Sequence, residues 1–239
     1  MSSLLPAQIA LRTLASPIRA EISQRFFKTG VGEYGDGDQF LGVTVPQTRK
    51  VARAYRDMSL KEIQVLVESA LHEDRLLGLL ILVGQFQRAK IMEERKKILH
   101  VYLSLAHQGC VNNWDLVDTS AYHIVGAYVY EEPSNLLEKL AGSKNLWERR
   151  IAIVATFYFI CHGQPEITFR IAKLLLADSH DLIHKAVGWM LREAGKRCSE
   201  KELEVFLKMH YQRMPRTMLR YAIERLPEVK RRAYLKGGI

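Results

Sequence analysis

The sequence predicts an all-helical chain, an α-solenoid in which short helices stack side by side as antiparallel hairpins. Three observations lead there. Apolar residues recur at steps of three and four in Ile63-Leu66-Val67-Ala70-Leu71 and in Leu203-Phe206-Leu207, the spacing that lays one apolar stripe along a helix. Ser59-x-x-Glu62 and Ser199-x-x-Glu202 have the form of capping boxes that open helices. No stretch alternates apolar and polar residues as a half-buried strand does.

Taken in chain order, the pattern predicts helices at 5–14, 17–28, 46–57, 60–71, 73–87, 90–108, 113–130, 134–141, 146–162, 165–177, 181–196, 200–212, 215–226 and 228–235. Pro133, Pro165, Pro215 and Pro227 fall near first turns, where the missing N–H costs nothing. The first 20 residues carry Arg12 and Arg19 and no acid before Glu21, as a transit peptide does. Their apolar spacing suits a first amphipathic helix better.

Five segments share a register: HEDRLLGLLIL, NNWDLVDTSAY, NLWERRIAIVA, DLIHKAVGWML and PRTMLRYAIER. Each sets one polar residue at the same point of an otherwise apolar helix: Arg75, Asp118, Arg150, Lys185 and Arg220. Their separations of 43, 32, 35 and 35 residues bracket those of HEAT-like helix pairs. Residues 1–239 therefore read as one HEAT-like repeat domain. Equivalent positions of a solenoid project from one side, so this row should line a curved, concave groove that is basic except at Asp118.

The composition fits a globular chain: 239 residues, 48% of them apolar and 26% charged. Lys and Arg exceed Asp and Glu by nine, which favours a polyanionic partner. Seven of those nine charges arise between Lys196 and Ile239, where 12 basic residues face five acids. That cluster suits a phosphate backbone. The longest apolar stretch, residues 151–161, spans 11 residues with Thr156 at its middle, short of the roughly 20 a membrane helix needs. Cys110, Cys161 and Cys198 form no paired motif, which excludes a disulfide framework and a cysteine zinc site and points to the cytoplasm.

Other motifs carry little. Gly30-x-Gly32-x-x-Gly35 has the letters of a dinucleotide fingerprint, yet helical sequence precedes it and no βαβ unit follows. It reads as a loop. His180 and His184 are spaced for zinc, but no third ligand accompanies them. Cys161 and His162 are chain neighbours, which point apart on a helix. No cofactor or metal is expected.

The informative constellation is Trp114, Asp118, Arg150, Lys185, Trp189 and Arg192. Trp114 and Asp118 share a helix face, as do Lys185 and Trp189, with Arg192 one turn further on. Two aromatic plates, a carboxylate and a basic surround suit a cationic or oxocarbenium-like species held against phosphates.

At these residues the chain resembles the AlkD-like DNA alkylation repair family, bacterial DNA glycosylases built from HEAT-like repeats. The matching segments are Phe40-Leu-Gly-Val-Thr-Val-Pro46, Asn113-Trp-Asp-Leu-Val-Asp118, Leu146-Trp-Glu-Arg-Arg-Ile-Ala-Ile153 and Lys185-Ala-Val-Gly-Trp-Met-Leu-Arg-Glu193, within a similarity over about residues 20–230. The resemblance implies a monofunctional, metal-independent DNA-alkylpurine glycosylase that excises N3- and N7-alkylated purines from duplex DNA, a step of base excision repair. It implies Asp118 as the catalytic aspartate, Trp114 and Trp189 as sugar and backbone contacts, and Arg150 as the supporting arginine. Lys185, Arg192, Arg75 and Arg220 are the expected DNA-binding cations. Residue 113 is Asn where some relatives carry a second Trp, and the family's N-terminal aromatic falls near Phe26 or Phe27, which lack a hydroxyl. The expected protein is a monomer acting on damaged DNA, with no membrane partner. Alternatives are a catalytically silent relative that binds branched or damaged DNA, and a HEAT-type scaffold for an acidic peptide.

Overall fold

A computed structural model describes residues 4–239. Among them all regular elements are helical, and extended pairing is confined to an isolated bridge between Gln39 and Leu71. The chain divides into two compact units, Met1–Ser120 and Ala121–Ile239.

The first unit contains α1 (Pro6–Arg12), α2 (Pro17–Phe26), α3 (Val45–Ala54), α4 (Leu60–Val67), α5 (His72–Arg88) and α6 (Met92–His107), with α7 (Trp114–Ala121) at its end. Helix α5 is its axis. Residues 72–79 are buried without a break, and α1, α3, α4 and α6 all pack against α5. Helix α4 begins at a complete capping box: the Glu62 N–H donates to Ser59 Oγ (3.3 Å), and the Ser59 N–H donates to Glu62 Oε2 (2.8 Å).

The first turn of α5 is the sequence His72-Glu73-Asp74-Arg75, four polar residues that are each at most 5% exposed. Burial of charge is costly unless partners replace the lost water, and each of these residues has partners on a different element. The Glu73 carboxylate accepts from the backbone N–H groups of Leu41 (2.8 Å), Gly42 (2.7 Å) and Val43 (3.1 Å). The Asp74 carboxylate accepts from Gln8 (2.9 Å) and Arg12 (3.1 Å) of α1 and from Ser69 (2.9 Å). The Phe40-Leu-Gly-Val-Thr-Val-Pro46 segment is thereby a strap drawn onto α5. Gly42 has φ +76°, and a Cβ there would meet the Ser16 carbonyl at 2.2 Å. Only glycine satisfies both constraints.

The second unit begins with a π-helical turn (Tyr122–Gly126) that runs into α8 (Ala127–Glu131). There follow α9 (Leu136–Ala141), α10 (Leu146–Ala155), α11 (Phe157–Cys161), α12 (Glu166–Leu174), α13 (Asp181–Arg197), α14 (Glu200–His210), α15 (Arg216–Ala222) and α16 (Glu228–Lys236). Helix α9 packs on α10, α12 on α13, and α14 on α13, while α10, α13 and α15 contact one another in succession. Stacked helices of this kind are the arrangement of an α-solenoid.

The helix series agrees with expectation, with three differences. The segment expected as one helix at 146–162 divides at Thr156, whose hydroxyl donates to the Ile153 carbonyl (2.7 Å), a local bond that competes with the helical ladder. The segment 113–130 contains the π-turn, an added residue that three-and-four spacing does not register. Pro133 precedes α9 by three residues instead of opening it. The Gly30-x-Gly32-x-x-Gly35 stretch lies in a turn-rich loop. Its Gly30 and Gly32 N–H groups donate to Glu33 (3.0 Å) and Asp36 (2.9 Å), so carboxylates stand where a phosphate-binding loop needs open donors.

Gly188 explains the small residue in Lys185-Ala-Val-Gly-Trp189. A Cβ at this position would sit 2.5 Å from the Met218 carbonyl and 2.5 Å from Tyr221 Cβ, so α13 and α15 meet backbone to backbone. Gly188→Ala is expected to lower stability by about 1–3 kcal/mol despite its better helix propensity. Urea unfolding measures this, and an unchanged midpoint would show that α15 can withdraw freely.

Candidate functional site

The five aligned residues share a local register in the structure. Arg75 is the fourth residue of α5, whereas Asp118, Arg150, Lys185 and Arg220 are each the fifth residue of α7, α10, α13 and α15. Their environments differ. Arg75 is buried; its guanidinium donates to the carbonyls of Ser69 (3.0 Å) and Ala70 (3.4 Å) and to the Asp38 carboxylate. It is committed inside the first unit, contrary to the expectation that it faces a groove. Two backbone carbonyls at the α4–α5 turn and the loop carboxylate draw this cation inward, a feature invisible in the helical pattern.

Trp114 and Asp118 lie one turn apart on α7, both half-buried. Trp114 stacks on Phe27, with centroids 5.4 Å apart and planes 23° apart, and Phe26 meets it edge-on at 5.9 Å. The Phe26 side of this pair is open, since that residue is 63% exposed and α2 buries none of its residues. Phe26 and Phe27 thus both stand directly against Trp114. Burial pushes the Tyr102 phenol well above its ordinary range, and the Asp118 charge adds to the effect. Tyr102 is held by a hydrogen bond with Ser120 (3.0 Å), on the last turn of α7.

Behind Trp114 lies a group that the sequence reading passed over. His72 is enclosed by two carboxylates: Nδ1 is 2.8 Å from Asp38 Oδ2, and Nε2 is 2.8 Å from Asp115 Oδ2. An ionised carboxylate only accepts hydrogen bonds, so both ring nitrogens donate and the ring is an imidazolium. Burial alone would lower its pKa, but the hydrogen bonds and charges of Asp115 and Asp38 outweigh burial and raise it to about 9. For Asp38 burial acts upward, but His72 and Arg75 bring the carboxyl below its usual value. The aromatic rings of Phe40 (4.6 Å) and Phe27 (4.9 Å) pack against the imidazole. The only sequence signal was the run of four polar residues opening an apolar helix. The partners are 34 and 43 residues away.

In the second unit Arg150 is buried and donates to the Leu182 carbonyl (2.6 Å) at the start of α13. Lys185 pairs with Asp181 one turn earlier (2.6 Å). Trp189 is half-buried near Phe157 (6.2 Å), over which the Arg197 guanidinium sits at 5.2 Å. Arg192 donates to Glu193 (3.1 Å) and to Glu224. Arg220 is exposed on α15. Among the described residues no group of three or more His, Cys, Asp or Glu side chains is disposed to hold a metal ion, and no helix is long and apolar enough to cross a membrane.

The raised pKa of His72 has a thermodynamic sign. A folded value near 9 above an ordinary 6.5 gives stability that is complete below about pH 6.5 and lost as pH rises through about 9. Asp38 acts at the other end, its contribution falling away in acid. Between pH 6 and 10 the stability advantage of the natural chain over His72→Gln should shrink by an amount of order 3 kcal/mol. Urea melts of both proteins test this, and a pH-independent difference would mean that the ring is neutral when folded.

The sequence profile of a family described as DNA alkylation repair enzyme matches residues 7–226. No curated protein matches the chain. A solved structure titled "Predicted DNA alkylation repair enzyme from Enterococcus faecalis" is similar in fold, with TM-score 0.69 and 18% identity, covering 90% of this chain and 97% of that one.

Proposed function

From the premise that this chain belongs to the DNA alkylation repair enzyme family, we propose that it is a DNA glycosylase that releases cationic N3- and N7-alkylated purines from duplex DNA. The observation that carries the reading is the pair on α7, with Trp114 and Asp118 one turn apart beside an aromatic group open at Phe26. An alkylated purine of this class already bears positive charge, so its glycosidic bond is weakened and its departure needs no general acid. The remaining tasks are to stabilise the positive charge growing on deoxyribose and to place a water molecule for attack. In this reading the Asp118 carboxylate does both. The Trp114 face adds cation–π attraction of about 0.5–2 kcal/mol; Trp189 and Arg150, the latter fixed by the Leu182 carbonyl, keep the contacting and supporting roles that the resemblance implies.

Release of free base from duplex DNA carrying N7-methylguanine, measured in EDTA, tests the assignment. Asp118→Asn should lower the rate by about 100-fold or more while duplex affinity stays equal or rises, because a negative charge near phosphates has been removed. Release by neither protein, with duplex binding intact, would favour a DNA-binding protein without this chemistry. Equal release by both would remove Asp118 from the reaction.

The DNA-binding cations separate by burial. Arg75 is interior and occupied by protein partners, while Arg220 is exposed and Lys185 is partly so. Arg192 is already balanced by Glu193 and Glu224. Arg220→Ala should reduce the slope of log affinity against log salt by about one unit, as loss of one phosphate contact does. Binding titrations across a salt series provide the measurement, and an unchanged slope would remove Arg220 from the phosphate contacts.

A further inference from the structure

We propose that His72 is a positioning residue for the site on α7: held between Asp38 and Asp115, it fixes the first turn of that helix and with it Trp114 and Asp118. The proposal rests on the glycosylase reading for what Trp114 and Asp118 do, but on geometry alone for how they are held.

Three consecutive residues at the start of α7 meet this ion or the groups that enclose it. The Asn113 amide donates to Asp38 Oδ2 (3.2 Å), the same oxygen that accepts from His72 Nδ1. Trp114 stacks on Phe27, whose ring lies 4.9 Å from the imidazole. The Asp115 carboxylate accepts from His72 Nε2 through one oxygen and from the Leu116 N–H (2.9 Å) through the other. Asn113 also holds the helix start, its side-chain oxygen accepting from the Trp114 N–H (2.8 Å). Asp118 follows Asp115 by three residues and Trp114 by four, so it shares their helix face.

The groups around the imidazolium come from every element that packs on it. Asp38 comes from the loop before α3, Asp115 from α7, and Arg75 from α5 itself. The rings of Phe27 and Phe40 cover the remainder. Both bonds of the ring require its two protons. A neutral imidazole would leave one carboxylate without its donor from His72, and repulsion between Asp38 and Asp115 would then act across the ring. Deprotonation therefore loosens the first turn of α7 at the residue beside Trp114. The imidazolium is separated from Trp114 by the Phe27 ring, so it holds the site without being a group that meets substrate.

Two measurements decide the proposal, and the first needs no DNA. In the natural chain, labelled histidine and indole nitrogens are followed by NMR from pH 6 to 10. The His72 ring and the Trp114 indole should titrate together with one midpoint near 9, and Asp115→Ala should abolish the Trp114 transition. A Trp114 signal that stays fixed while His72 titrates would overturn the proposal. The second measurement compares single-turnover base release and duplex affinity. Asp115→Ala should lower the single-turnover rate at least tenfold with affinity within about twofold, and Asp115→Asn, which keeps an acceptor for His72, should recover part of the rate. A rate within threefold of the natural chain would overturn the proposal, as would equal losses of rate and affinity. If the natural chain released no base, the glycosylase reading would fail alone, and the NMR titration would still decide how Trp114 is held.

Discussion

The first unit depends on burying four polar side chains at the start of one helix. His72, Glu73, Asp74 and Arg75 sit inside the protein, where unpaired charge costs several kcal/mol. Each is tolerable because a different part of the chain arrives to meet it. Glu73 binds the strap at 41–43, Asp74 binds α1, Arg75 and His72 bind the loop at Asp38, and His72 also binds α7. Replacing one partner strands the charge on the other. The cluster thus specifies which segments surround α5, whatever its net contribution to stability.

This constraint extends to the candidate chemistry because α7 is the last segment to reach the cluster. Asn113 and Asp115 flank Trp114 and are both held by it, while Trp114 itself rests on Phe27. A catalytic carboxylate acting on a developing cation must stand at a fixed distance from it. A helix whose first turn is pinned by ionic bonds is a better support than one held by apolar packing alone, since directional bonds define rotation as well as depth.

The second unit follows a different rule. Its successive helices meet through apolar contact and close backbone approach, as at Gly188 between α13 and α15, with single polar ties such as Arg150 on α10 to the Leu182 carbonyl. Four of the five acids in its C-terminal segment are paired, Glu200 and Glu204 with Lys230, Glu228 with Arg231 and Arg232, and Glu224 with Arg192, and the net excess of seven is what such pairing leaves. What remains for a polyanion resides in exposed side chains such as Arg213, Arg220 and Arg225.

Helix class, helix order and the register of the five aligned residues were determined by sequence alone, because apolar spacing and caps such as Ser59–Glu62 act over three or four residues. The pairing of Trp114 with Asp118 was legible for the same reason. The inward turn of Arg75, the role of the Phe40–Pro46 strap, the charge on His72 and the stacking of Phe27 on Trp114 were decided only by tertiary structure. Each depends on groups tens of residues apart in the chain. Whether a polar residue faces water or the interior depends on the partner that meets it there, and helical periodicity carries no information about that partner.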